Sequence, residues 1–267
     1  MANPICLSPL KFYDDIRKQC HHKSFAFNNI TPLLSRAHTA PGFQFVLPTS
    51  TNFSSVYIRN TKDVRVTGNV LSSFVDAGLS ISDVSGFKVV SYLGSFPILN
   101  NISEGYYYIE IKFSNGLNYY SEIFCISSKT DDYLEIEYWN QSGNLFIKNG
   151  IISFENSFRF NLLLDTEIGK PEYSFEEEVT KRLGYNFIES QVSKKIYKFT
   201  AVVPEYICDA MRIIRMCDNK IITSKNDEYD ATSFEISVEW QTQGDLASAS
   251  CEFETDNVIV NLGSFEV

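Results

Sequence analysis

Strict alternation of apolar and polar positions is clearest in "GYYYIEIKFSNGLNYYSEIFCI", residues 105–126. Tyr107, Ile109, Ile111 and Phe113 alternate with Tyr106, Tyr108, Glu110 and Lys112, the spacing of a strand that turns one face to a core and the other outward. Ser114-Asn115-Gly116 interrupts the run with residues suited to positive φ, which predicts a hairpin. Short apolar runs bounded by turn residues predict further strands at 42–47, 55–60, 63–70, 86–93 and 119–126. Strands of this length at roughly ten-residue spacing predict an immunoglobulin-like β-sandwich over residues 41–130. The polar stretch "SSKTDD", 127–132, marks its end.

Residues 1–40 show no sustained period. Ser8-Pro9 is a helix-start signal and predicts a short helix to about Gln19. The segment beyond it carries two prolines with Phe25, Phe27, Leu33 and Leu34, and reads as an N-terminal arm that orders against a neighbouring subunit.

In the second half the pattern predicts strands near 133–139, 145–148, 157–164, 219–224, 233–240 and 246–254. One helix stands out at 204–216: Pro204 sits at its first turn, and Ile207, Ala210, Met211 and Ile214 fall at i, i+3, i+4 and i+7. "FEEEVTKRL" has helical propensity, but Gly184 and the β-branched run after it favour a long hairpin from about 172 to 203. Its arms carry Tyr173, Phe175, Phe187, Ile188, Ile196, Tyr197 and Phe199, more than a two-stranded ribbon can bury alone. The fold class expected is therefore mainly β. An N-terminal immunoglobulin-like sandwich is followed over 131–267 by a β-sandwich or half-barrel with one packed helix and a long hairpin.

Composition supports this: 21 Phe and 15 Tyr against 3 Met suit pleated surfaces better than helical bundles. Charge is uneven. Residues 1–126 hold 10 basic and 8 acidic side chains, whereas 127–267 hold 13 and 25. An acidic half argues against gripping nucleic acid, although it suits a surface that nucleic acid slides past. The N-terminus shows neither a basic nor an apolar signal region, and no apolar run approaches the length of a membrane span. Six cysteines without a C-x-x-C pair read as reduced thiols.

Candidate chemistry is sparse. Cys20-His21-His22 is the only compact cluster of soft ligands, which Cys6 and His38 could complete as a zinc site, but adjacent residues on one backbone rarely converge on an ion. No signature of a Cys-His hydrolase surrounds these residues. Glu176-Glu177-Glu178 lies on one segment, where glycosidase chemistry needs two carboxyls across a cleft. Tyr106, Tyr108 and Tyr120 are interface candidates, since tyrosine offers contact area with a polar tip.

The stretches "SPLKFYDDI", "YYSEIFCI", "FRFNLLLDTEIGKPEYSFEEE", "FIESQVSKKIYKF", "PEYICDAMRII" and "WQTQGDLASASCEFETD" resemble uncharacterised virion structural proteins, of tail or neck type. Those are encoded by phages and prophages of Bacteroides and relatives. The module layout is also similar to phage tail tube and distal-tail proteins. The resemblance implies a non-enzymatic component of a phage tail, baseplate or neck, made in the bacterial host cytoplasm and assembled into a homo-oligomeric ring in the virion. It implies no catalytic residue, cofactor, metal or membrane. Partners would be copies of itself and neighbouring virion proteins, with DNA at most passing through a lumen. Phe175, Phe187, Tyr197, Phe25 and Phe27 join the three tyrosines as interface candidates. Two alternatives remain: a module binding host glycans or protein, and an envelope hydrolase.

Overall fold

The computed structural model describes residues 9–19, 33–37, 39–47, 52–76, 78–94, 102–129, 133–141, 143–147, 150–155, 158–182, 184–225, 227–240 and 246–262. The chain is mainly β, as its alternation predicts.

The expected hairpin forms from β7 (Gly105–Phe113) and β8 (Asn118–Ser121) around Gly116 at φ 83°. The strand expected at 119–126 is broken in two. β9 (Phe124–Ser127) continues along the same edge of β7, and Glu122-Ile123 steps out between them. The Ser121 hydroxyl accepts the Ile109 N–H at 2.9 Å, so a side chain fills the gap in the ladder. The other edge of β7 pairs with β4 (Phe53–Asn60). β1 (Phe12–Tyr13) and β2 (Leu33–Arg36) complete a six-stranded sheet, β2 running parallel to β9.

Residues 9–19 therefore do not form the expected helix. Leu10 and Phe12 are buried, and a single 3-10 turn, Ile16–Lys18, follows β1. Apolar anchors on an extended strand gain more here than a short isolated helix would.

A second sheet, in the order β3 (Phe43–Leu47), β6 (Phe87–Tyr92), β5 (Ser80–Val84), packs across the first. The seam is aromatic: Phe12 meets Phe43 and Phe45 at 4.8 and 4.9 Å, and Phe45 meets Tyr119 at 5.9 Å. A short helix, α1 (Leu71–Asp76), adds Phe74 against Tyr92 at 4.8 Å. Where Gly94 passes Gly42, an added Cβ on Gly94 would lie 2.3 Å from the Gly42 nitrogen, so backbone packs on backbone.

The strand expected at 63–70 is absent as such. This segment runs beside β4, but the Val56 and Ile58 amides donate to the side chains of Asn69 and Thr67, each at 3.0 Å. Side-chain acceptors replace half the ladder, which leaves a pinned loop instead of a strand.

In the second half, β13 (Phe160–Leu164), β10 (Leu134–Trp139), β16 (Asn219–Ser224) and β17 (Asp227–Asp230) form one antiparallel sheet in that order. β11 (Leu145–Ile147) and β12 (Gly150–Ile152) form a small hairpin. β14 (Glu172–Arg182), β15 (Tyr185–Pro204), β19 (Leu246–Glu254) and β18 (Glu235–Trp240) form the last sheet, with β20 (Ile259–Leu262) also on β15. The expected helix is α2 (Glu205–Met216), with Ile207, Ala210, Met211 and Ile214 all buried.

One apolar core runs through both halves, from Leu10 to Phe253. Across it, the Gln44 side chain behaves as a strand segment. Its amide donates to the Ser153 carbonyl at 2.9 Å, and its oxygen accepts the Ser153 N–H at 2.7 Å. Gln44 and Ser153 are both buried. Gln44→Leu keeps the side chain's bulk but strands two backbone groups, and should cost about 2–3 kcal/mol in urea denaturation. An unchanged midpoint would show that water reaches Ser153.

Candidate interaction surface

β15 is 20 residues long, about 65 Å at ~3.3 Å per residue. No single neighbour covers that length. β14 pairs with residues 185–196, β20 with 190–193 and β19 with 196–204. Residues paired directly across an antiparallel sheet share a face, so the register sorts every side chain.

On one face lie Phe199, Ala201 and Val203, with Cys251, Ala249 and Ala247 opposite them. α2 covers these, Met211 sulfur lying 3.8 Å from Cys251 sulfur. Burial pushes the Cys251 thiol up to about 12, and its neighbour Cys208 adds to the shift. The same face continues outward through Tyr197, which packs on Phe253 and Tyr229 at 5.5 and 4.7 Å.

Beyond Tyr197 the cover ends but the apolar residues do not. Tyr173 opposite Lys195, then Phe175 opposite Ser193, with Ile259 on the far side of Ser193, extend the face. A bulge between Glu178 and Val179 skips Glu189 and brings Val179 opposite Ile188. Without it, alternation would turn Ile188 to the other side. Tyr173 is 60% exposed, Phe175 65% and Ile259 69%, and Val179 and Ile188 are exposed as well. The polar pair Glu177 and Gln191 lies on the same face between Phe175 and Val179, so the exposed apolar side chains form two groups: Tyr173, Phe175 and Ile259 nearer the core, and Val179 with Ile188 nearer the tip.

The opposite face is ionic. Lys194 binds Glu176 at 3.1 Å and Glu254 at 3.5 Å, and Lys198 binds Glu172 at 2.7 Å and Glu252 at 3.3 Å. Hydrogen bonds to Glu176 and to Glu172 lead in raising the two ammonium groups above their ordinary range. Glu178, Glu235 and Glu239 share this face, with Val192 and Val260 between. Two lysines among seven glutamates leave it acidic.

The N-terminal candidates are placed differently. Tyr106 is 37% exposed and Tyr120 is half-buried, but Tyr108 is 1% exposed. Alternation puts Tyr108 and Glu110 on the outward face of β7, and that face is not open. The pinned loop after β4 lies over it, and Asp63 accepts the Tyr108 hydroxyl at 2.9 Å. Glu110, 2% exposed, accepts from Arg59 at 2.7 Å, with Arg65 and Lys112 at 3.4 and 3.6 Å. Arg65 stacks on the Tyr57 ring at 4.0 Å. Phe187 pairs through its backbone with Thr180. Phe25 and Phe27, like Cys6, Cys20, His21, His22 and His38, lie outside the described residues.

Other chemistry is limited. Among the described residues no group of three His, Cys, Asp or Glu is placed to hold a metal ion. No helix among them is long and apolar enough to cross a membrane. A cavity of about 120 Å³ is lined by Arg36, Glu135 and Asn161. Burial pushes the Glu135 carboxyl up while Arg36 opposes the shift. The space suits a few waters that satisfy the buried Asn161 oxygen. Compared with protein-family models and with curated proteins, the chain matches none.

Glu110→Gln removes the carboxylate that neutralises Arg59 and should lower stability by about 2–3 kcal/mol, read as a fall of several degrees in Tm. Glu177→Gln, on the exposed ribbon, serves as the control and should leave Tm unchanged. Equal Tm values for the two variants would refute the role given to Glu110.

Proposed function

We propose that the chain is a non-enzymatic structural subunit that assembles with copies of itself into a ring within a phage virion, in its tail, baseplate or neck. The observation that carries self-assembly is the apolar face of the long hairpin, which outruns its cover. Tyr173, Phe175 and Ile259 continue a core face into solvent. An isolated ribbon gains nothing from such a strip, whereas a partner surface buries it.

The place in a virion rests on the sequence likeness to tail- or neck-type proteins. The chain would be made in the bacterial host cytoplasm and incorporated beside neighbouring virion proteins. The acidic face with Glu172, Glu176 and Glu178 suits the wall of a lumen through which DNA passes without binding. On this reading the two N-terminal sheets form an immunoglobulin-like sandwich directed outward, with Tyr106 exposed to a neighbour. A glycan-binding role draws less support, since Tyr108 is enclosed and no row of open tyrosines remains on β7.

Tyr173→Ser combined with Phe175→Ser should leave a folded protein with unchanged circular dichroism. Its association should weaken by about 3–4 kcal/mol, two to three orders of magnitude in Kd, measured by sedimentation velocity over a concentration series. If the double variant forms the same oligomer at the same concentration, the strip is not the assembly surface.

A further inference from the structure

Among the described residues the last sheet ends in two open edges, β14 pairing only with β15 and β18 only with β19. Among the described residues no other backbone bond reaches either strand. Each therefore offers a row of outward N–H and C=O groups. An uncovered edge of 11 residues bearing Tyr173, Phe175 and Val179 is the kind of strand that recruits another.

We infer that β14 of one copy pairs antiparallel with the β18 edge of a second copy, so that the sheet continues from subunit to subunit. This rests on the self-assembly proposed above and adds the receiving surface. Three observations select β18.

Direction comes first. Neighbouring strands alternate through β14, β15, β19 and β18; Tyr173 lies level with Lys195 and Trp240 with Val203, so a copy in the same orientation, slid about eight residues along the strands, brings β14 alongside β18 antiparallel. The contact is head-to-tail, and repeated it gives a ring where its rotation closes and a filament where it does not.

The faces also match. Ile236, Val238 and Trp240 share the face of Cys251, Ala249 and Ala247, the one α2 covers. One register sets Tyr173 opposite Trp240, Phe175 opposite Val238 and Glu177 opposite Ile236, so two of the three pairs on this face are apolar on both sides. Trp240 is 55% exposed at the end of its strand and lacks a covering residue that Tyr173 would supply. On the ionic face the same register sets Ser174 against Glu239 and Glu176 against Ser237.

Charge is the third. The only like pair in this register is Glu178 against Glu235, and Arg215 already holds Glu235 at 2.9 Å. The competing arrangement is two β14 strands paired about a two-fold axis at Val179. It matches Glu176 with Arg182 and Glu177 with Lys181, but leaves Tyr173, Phe175 and Trp240 uncovered.

Cross-linking separates these arrangements. Ser174→Cys with Glu239→Cys in one chain, treated with a short bis-maleimide, should give a ladder of covalent dimers, trimers and higher species on a denaturing gel. Neither single variant should do so, and a mixture of the two single variants should stop at dimers. Both positions lie on the ionic face, so the apolar strip stays intact. If the protein is oligomeric by light scattering and the double variant yields no ladder, β18 is not the receiving edge. A covalent dimer from Val179→Cys alone would establish the two-fold pairing instead. A chain that stays monomeric at all concentrations would remove the assembly reading, and this inference with it.

Discussion

Everything in the second half hangs on one strand serving two environments. Beyond the bulge at Glu189, β15 runs from Ser190 as part of a ribbon into the centre of a packed sheet without a break in its alternation. Because side chains repeat every two residues, the face that meets α2 at Phe199 and Val203 must be the face that carries Ser193 and Lys195 further out. β14 and β20 are registered to that face, so Tyr173, Phe175 and Ile259 inherit the direction of the core without its cover. The bulge beside Glu178 then keeps Val179 and Ile188 in line near the tip. The ionic ladder on the other side, through Lys194 and Lys198, links the strands β14, β15 and β19, and such exposed ion pairs contribute little to stability. The ribbon that results carries Tyr173, Phe175 and Ile259 on one side and an acidic face on the other.

The first half solves a different problem. Two sheets close on an aromatic seam of Phe12, Phe43, Phe45 and Tyr119. The loop after β4 then seals the far side of β7 by gathering Arg59, Arg65 and Lys112 around Glu110. Charged groups taken out of water in this way hold the loop in one arrangement. Gln44 ties this half to the second through the Ser153 backbone.

Much of this was legible from periodicity. The β7–β8 turn, α2 and the long hairpin follow from residue spacing, because each has many matching positions and distinctive punctuation. What escaped has a common cause: partners that are side chains or lie far away in sequence. The segment 63–70 looked like a strand because Val64, Val66 and Val70 alternate, yet Thr67 and Asn69 take the ladder's place. Tyr108 looked outward because alternation cannot see a loop folding back over a strand. β5 was hidden behind Ser85-Gly86, whose positive φ values make a tight turn between β5 and β6. β20 contributes only four residues, and its partner Ser190–Ser193 lies far back along the chain. The apolar excess of the hairpin was readable, but its gathering on one face required the bulge and the register.

The central claim is that another copy of the chain covers the outer part of the hairpin. Amide hydrogen exchange across 172–182, followed from dilute to concentrated protein, addresses it directly. Amides of β14 that point away from β15 have no partner among the described residues, and should exchange fast in the monomer. They should slow by at least about tenfold as the oligomer fills, while the amides that bond β15 change little. Outward amides that exchange at the same fast rate at every concentration, in protein shown to be oligomeric, would contradict the account.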